Sequence, residues 1–125
     1  MAALAILNSK PAAAEAPETA IDRAHLARMT FGDRSLEREV LSLFDRQAAM
    51  LIERMRAGKP AAIASLAHTL KGSAAGIGAE RVARSASAAE IAASGSATDC
   101  GQAIDRLAQA VDEARALIAK LLREG

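Results

Sequence analysis

Residues 64–80 read ASLAHTLKGSAAGIGAE and hold one of the two histidines in the 125-residue chain. Up to the last two glycines, the residue types are typical of a helix. His68 is followed by Lys71 and Gly72, three and four residues on. Residues at these spacings are neighbours on a helix surface. The segment therefore predicts a helix that carries an imidazole, an ammonium group and a bare backbone position together on one side.

The apolar residues of this helix identify the side that faces the core. At about 100° per residue they fall into one sector, made of Ile63, Leu66, Ala67, Leu70, Ala74 and Ile77. His68 is two residues from both Leu66 and Leu70, so we expect its ring to point toward solvent. Small residues share its flank, and they are Ala61, Ala64, Ser65, Gly72 and Ala75, with Ser73 at a less favourable angle. A glycine within a helix costs about 1 kcal/mol relative to alanine, which indicates that Gly72 serves access to the imidazole.

The sequence before residue 60 predicts a short helix followed by a long one. The short helix is expected from residue 18 to between residues 30 and 32. Asp33 is a suitable N-cap for the long helix, and Gly58 with Pro60 marks the junction to the next helix. The predicted apolar face of the long helix consists of Leu36, Val40, Phe44, Ala48, Leu51 and Met55.

The sequence after residue 60 predicts three more helices. The third is expected over residues 60–77 with Gly78 as a left-handed cap, although its glycine-rich end also allows a stop near Ala75. The fourth is expected over residues 79–94, and Thr98 or Asp99 is expected to cap the fifth. The apolar positions are Val82, Ala83, Ala86 and Ala89 or Glu90 in the fourth helix, and Ile104, Leu107, Val111, Ala114, Ile118 and Leu121 in the fifth.

The composition favours a fold made of helices. Apolar residues make up 51% of the chain and aromatic residues 2%, which favours an all-α fold of closely packed helices. Four long helices with short connections predict an antiparallel bundle. Residues 1–17 are expected to be a flexible leader, with Leu4, Ile6 and Leu7 able to dock on the fold, and residues 18–125 to form the bundle.

Charge and cysteine content narrow the partners and the compartment. The net charge is +1 with no basic stripe, which argues against nucleic acid. No apolar run approaches the ~20 residues that span a membrane, and the start of the chain lacks a basic region of a signal peptide. The single Cys100 excludes an internal disulfide and suits a reducing compartment. We therefore expect a cytoplasmic protein.

The segment around His68 suggests phosphoryl chemistry. An exposed imidazole has an ordinary pKa of ~6.5 and is a competent nucleophile near neutral pH. Its attack on a phosphoryl group forms a phosphohistidine, whose oxygen charge a neighbouring ammonium group offsets. The run AGIGAE joins two helices rather than a strand and a helix, so it is a poor phosphate-binding loop.

The run AHTLKGSAAGIGAERVA resembles the signature of the histidine-containing phosphotransfer (Hpt) domains of bacterial multistep phosphorelays. The likeness extends over residues 20–122, and Glu90 stands where the family often has an acidic residue. The resemblance implies an up-down four-helix bundle with a short extra N-terminal helix. It also implies a phosphocarrier that exchanges phosphoryl groups with the receiver domains of response regulators or hybrid sensor kinases, and that is not itself an enzyme.

The resemblance implies a role for each residue around the histidine. His68 is the expected phosphoacceptor at Nε2, Lys71 stabilises the phosphoryl group, and Gly72 gives the partner clearance. The docking surface is expected to include Ala64, Ser65, Gly72, Ser73 and Ala75. The resemblance further implies that the chain needs no cofactor of its own, because the receiver is expected to bring Mg²⁺ and most of the catalytic groups.

Other interpretations remain open at the level of sequence. The first is a helical interaction module that binds receiver domains without phosphotransfer, in which His68 is only a contact residue. A small helical enzyme lacks a second acid or base near His68. A metal site formed by His25, His68 and Cys100 has no ligand-spaced pair to support it. His25 itself is expected on the surface or in a helix-cap contact.

Overall fold

A computed structural model describes residues 19–124 of the chain, and the helical class predicted from the sequence is confirmed. No strand occurs within that part of the chain. The leader predicted over residues 1–17 lies outside the described residues. The helices are α1 (Arg23–Met29), α2 (Arg34–Ala57), α3 (Pro60–Ile77), α4 (Glu80–Ala92) and α5 (Ala97–Glu124).

Helices α2 to α5 enclose one apolar core. Each packs on the next in the chain, and α5 returns to contact α2. Polar links show that α2 and α5 run antiparallel, because residues late in α5 meet residues early in α2. These links join Arg38 to the carbonyl of Leu122, Asp45 to Arg115, and Arg56 to Asp105. The predicted apolar face of the last helix is buried along its whole length.

Local side-chain caps mark the starts of α1, α2 and α5, whereas α3 and α4 begin without a side-chain cap hydrogen bond. Asp33 accepts a hydrogen bond from the backbone N–H of Leu36 at 3.0 Å, as predicted for the start of α2. The prediction for α1 was too long, because Asp22 caps it and sets its start at Arg23. The predicted cap of α5 was also wrong. The Ser96 hydroxyl accepts from the N–H of Asp99 at 3.0 Å, so the helix begins before residue 98.

The apolar face predicted for α2 is rotated slightly from the observed one. Phe44, Ala48, Leu51 and Met55 are buried as expected. Leu41 is buried although it was not predicted, whereas Leu36 is 36% exposed. Leu36 is five residues before the buried Leu41, about 140° around α2, so it lies at the edge of the buried face. Its exposure leaves an apolar side chain on the surface near the start of the helix.

Gly78 ends α3 and contacts Asp22, the residue that caps α1. It adopts the predicted left-handed conformation with φ of 79°, so α3 reaches Ile77 and does not stop near Ala75. The Asp22 backbone N–H donates to the Gly78 carbonyl at 2.8 Å. A Cβ atom at this position would lie 2.9 Å from the Asp22 carbonyl oxygen. The glycine therefore permits both the turn and the close approach of α1.

Candidate functional site

His68 lies in the middle of α3 with its ring on the surface. Its side chain is 66% exposed, whereas Ala67 and Leu70 on the core side of the helix are fully buried. The sequence spacing predicted this orientation, because two residues correspond to about 200° of rotation around a helix. An imidazole in this position is accessible to another protein.

Glu90 of α4 holds the imidazole in one orientation. Its Oε2 atom lies 3.1 Å from Nδ1 of His68, and its Oε1 atom accepts a hydrogen bond from Nζ of Lys71 at 3.2 Å. One half-buried carboxylate therefore contacts both residues that the sequence singled out. We refer to His68, Lys71 and Glu90 as the histidine cluster.

The charge of Glu90 determines which ring nitrogen of His68 carries the proton. The hydrogen bond and charge of Lys71, together with the hydrogen bond from His68, hold the pKa of the Glu90 carboxyl below its ordinary value, against the opposing effect of desolvation. An ionised carboxylate only accepts hydrogen bonds. In the neutral ring we therefore assign the proton to Nδ1, so that the lone pair is on Nε2.

The surface around the ring is made of small groups. Gly72, Ser65 and Ala75 are exposed, whereas Ala64 is half-buried and packs against the core. A Cβ atom added to Gly72 would meet no other atom within 4 Å, so the space there is open to a partner. Ser73 is half-buried and lies about 140° around α3 from His68. Its place in the docking surface stays a prediction.

A cleft of about 490 Å³ adjoins the cluster at the level of Lys71. It lies between α1, α3 and α4, and Ala75 and Ala83 form part of its wall. Arg84 also lines it and has no ion-pair partner in the described part of the chain. The ring of His25 borders the same cleft, and its buried Nε2 atom has no hydrogen-bond partner among residues 19–124. The cleft thus extends the accessible surface from the cluster toward α1.

The other candidate residues do not join the cluster. The backbone N–H of His25 donates to Asp22 at the start of α1, which agrees with the predicted cap contact. Cys100 is buried in α5. Among the described residues, no group of three or more His, Cys, Asp or Glu side chains is arranged to hold a metal ion. No helix within residues 19–124 is long and apolar enough to cross a membrane.

The contact that sequence reasoning missed is the bond between Glu90 and the ring. The resemblance marked the position as acidic, and helical spacing left Ala89 and Glu90 as alternatives for the apolar face. The structure buries Ala89 and turns Glu90 toward His68. The rotation of α4 relative to α3 determines which of the two residues faces His68. This rotation cannot be predicted from the spacing of residues within one helix.

The fold and the cluster define a helical bundle that presents a hydrogen-bonded histidine on its surface. A family model described as "Hpt domain" matches residues 39–117, which is more than half of the chain and includes all of α3 and α4. The chain therefore belongs to the Hpt domain family, the phosphocarrier modules of histidine phosphotransfer in phosphorelays. No match was found among curated proteins or among solved structures.

Proposed function

We propose that His68 accepts a phosphoryl group from the phosphorylated aspartate of one receiver domain and passes it to the aspartate of another. The observation that carries this proposal is the pair of hydrogen bonds that Glu90 makes to His68 and Lys71. In the neutral ring they place the proton on Nδ1 and the lone pair on Nε2 at the exposed side, with a cation one helical turn away. The chain acts here as a carrier, and it has no need to bind ATP.

The transfer step requires no proton to leave the ring. The lone pair of Nε2 attacks the phosphorus of the aspartyl phosphate, and the bond from phosphorus to the carboxylate oxygen breaks with its electrons going to the aspartate. The ring gains positive charge as the N–P bond forms. The carboxylate of Glu90, which accepts from Nδ1 at 3.1 Å, stabilises that charge. Transfer to the next receiver is the same step in reverse.

Lys71 contributes a positive charge next to the transferred group. Its ammonium group is bound to Glu90 at 3.2 Å and its side chain is 37% exposed, so it is free to turn toward solvent. A phosphoryl group on Nε2 adds negative oxygens within reach of a residue three positions along the helix. We propose that Lys71 then divides its hydrogen bonds between Glu90 and the phosphoryl oxygens.

The partner supplies the rest of the chemistry. A receiver domain would bring Mg²⁺ and the aspartate, and it would dock over the exposed Ser65, Gly72 and Ala75. Ala64 and Ser73 stand at the edges of that surface. The cleft beside Lys71 lies within reach of a domain seated on His68, and its unpaired Arg84 suits an acidic side chain of the receiver.

The test is transfer from a panel of phosphorylated receiver domains from the same cell. The native chain should become labelled, and the label should be lost in acid and stable in base, as for a phosphoramidate. His68→Gln should abolish labelling and leave the helical circular dichroism spectrum unchanged. His25→Gln replaces the other histidine of the chain and should be labelled like the native protein.

The same experiment separates transfer from mere binding. If the chain binds a receiver but no receiver labels it, it is an interaction module and the proposed transfer is wrong. Label that persists on His68→Gln would assign the chemistry to another residue. The histidine cluster favours transfer, because binding alone gives no reason to fix the tautomer of an exposed ring.

A further inference from the structure

The cleft between α1, α3 and α4 carries charges of opposite sign along its length. Asp22 and Glu80 line it at the turn that joins α3 to α4, and Arg84 lines it one helical turn farther along α4. Lys71 lines it from the α3 side and binds Glu90, near the end of α4. The acidic side chains are therefore at the turn, and the basic side chains are on the side of the histidine cluster.

Two of these charges are available to a second protein. Glu80 and Arg84 are both exposed, and neither makes an ion pair within residues 19–124. They are four residues apart on α4, which is about 6 Å along the helix axis. Asp22 and Lys71 already have partners within the fold. The cleft therefore offers a partner one free negative charge and one free positive charge, in that order toward the histidine cluster.

The cleft is directly continuous with the site of phosphoryl transfer. Lys71 lines the cleft and shares the carboxylate of Glu90 with His68, at 3.2 Å and 3.1 Å respectively. The walls beside it are made by the small side chains of Ala75 and Ala83, and the volume of about 490 Å³ is large enough to take side chains of another protein. A protein that reaches the ring of His68 therefore also covers the cleft.

We propose that the cleft selects among receiver domains by the order of their charges, an inference that rests on the phosphotransfer role proposed above. The receiver that fits presents an acidic side chain to Arg84 and a basic side chain to Glu80, with the acidic one nearer to His68. Residues four apart on one helix of the receiver reproduce the spacing of about 6 Å. A receiver with the opposite order brings like charges together at both positions and is rejected.

The experiment measures the rate of transfer to His68 against the concentration of the phosphorylated receiver that labels the native chain fastest. Exposed charges at the rim of an interface act on encounter and binding, so Arg84→Glu should raise KM by about tenfold and leave kcat nearly unchanged. The KM of the native chain should also rise with salt. Arg84→Lys keeps the charge and should have a KM close to the native one. Arg106→Glu is the matched control, because Arg106 is exposed on α5 and does not line the cleft.

An exchange of the two charges tests their order separately from their sum. The double variant Glu80→Arg, Arg84→Glu has the net charge of the native chain and keeps opposite charges four residues apart on α4. Its KM for the same receiver should rise by about tenfold or more, and its ranking of the receiver panel by kcat/KM should change. Its helical circular dichroism spectrum should match that of the native chain, because both side chains are exposed.

The outcomes separate charge selection from transfer. An exchanged chain with the native KM and the native ranking would overturn the proposal, as would a loss of kcat at unchanged KM, which places the charges in the transfer step. Titration calorimetry with the unphosphorylated receiver that binds the native chain most tightly gives a second measure. Dissociation constants that differ as expected, with no labelling of His68, support charge selection and contradict transfer. Equal dissociation constants with normal labelling contradict charge selection alone.

Discussion

Glu90 connects the residues of the site because one carboxylate contacts two different side chains. Its contact with Nδ1 orients the ring, and its contact with Lys71 keeps a cation nearby. Lys71 also lowers the pKa of the Glu90 carboxyl, and an ionised carboxylate accepts the proton of Nδ1. Loss of Lys71 would therefore remove one of the two contacts that hold the carboxylate beside His68.

A pH titration tests this dependence at the level of one residue. The hydrogen bond from Lys71 is the largest cause of the lowered pKa of Glu90. In Lys71→Met we therefore expect the pKa of Glu90 to rise toward that of an ordinary glutamate. The measurement is the carbon-13 shift of the Glu90 carboxyl group against pH. The exposed Glu124 provides an internal reference, and a Glu90 titration that is the same in both proteins would contradict the assignment.

The sign of the effect on stability follows from the same shift. The folded chain binds this proton less tightly than the unfolded chain does. The contribution of Glu90 to stability is thus present above the pKa of the unfolded state and is lost as the pH falls through the lower folded value. Lys71→Met should reduce that acid sensitivity, which unfolding by denaturant at a series of pH values would show.

The exposure of a side chain can be predicted from the sequence when it depends only on the position of the residue within its own helix. The exposure of His68 follows from its offset from Leu66 and Leu70, which are on the same helix. The bond to Glu90 depends on the rotation and axial position of α4 against α3, which are set by packing across the core. The family resemblance therefore pointed to Glu90, but its contact with the ring of His68 was not predicted.

At the scale of elements, α3 is shaped by glycines with different roles. Gly72 and Gly76 are within the helix, and a Cβ atom at either would meet nothing within 4 Å. Gly78 ends the helix in a left-handed turn against Asp22. The first two therefore weaken the helix without relieving any clash inside the chain. The third is required by the backbone.

Substitutions at Gly72 separate the needs of the fold from those of the partner. Gly72→Ala should raise the free energy of unfolding by about 0.5–1 kcal/mol, because alanine is the better helix former and the space is open. Gly72→Leu should also fold, but it should slow transfer from receivers by about tenfold or more, a loss of about 1.4 kcal/mol in the transition state. Unchanged transfer in Gly72→Leu would refute the clearance role.

Substitution of Gly78 should have the opposite effect on stability. We expect Gly78→Ala to lower the free energy of unfolding by about 1–3 kcal/mol, because alanine is strained at positive φ and its Cβ would crowd the backbone of Asp22. Gly76→Ala is the matched control, two residues away within the helix, and should stabilise the chain. Chemical denaturation of both variants measures the difference. Equal stabilities would show that the turn does not constrain α1.

The limits of helices are predictable from sequence where a cap is unambiguous. Asp33 and Gly78 act as expected because each has one structural role. The start of α5 was misplaced because Ser96, Thr98 and Asp99 are all good caps, and only the fold shows which hydroxyl or carboxylate is used. The face of α2 was misjudged at Leu36 because periodicity alone does not determine how a helix is rotated against its neighbours.

At the scale of the whole molecule, alanine-rich interfaces allow the helices to pack closely, and polar links add specificity. The pairs of α2 with α5 are exposed or half-buried, so each contributes about 0–1 kcal/mol and fixes the register more than the stability. The class of fold could be predicted from the composition and from the helical spacing of the apolar residues. The cleft beside Lys71 could not, because it depends on how three helices are placed and on which surfaces they leave uncovered.

The most direct test of the account is to locate the phosphoryl group on the phosphorylated chain by nitrogen-15 and phosphorus-31 NMR of the histidine rings. The chain would be labelled by a phosphorylated receiver, and His25 would serve as the internal reference. We predict one phosphoryl group, on Nε2 of His68, with the proton still on Nδ1 facing Glu90. A phosphoryl group on Nδ1 of His68, or on His25, would contradict the account.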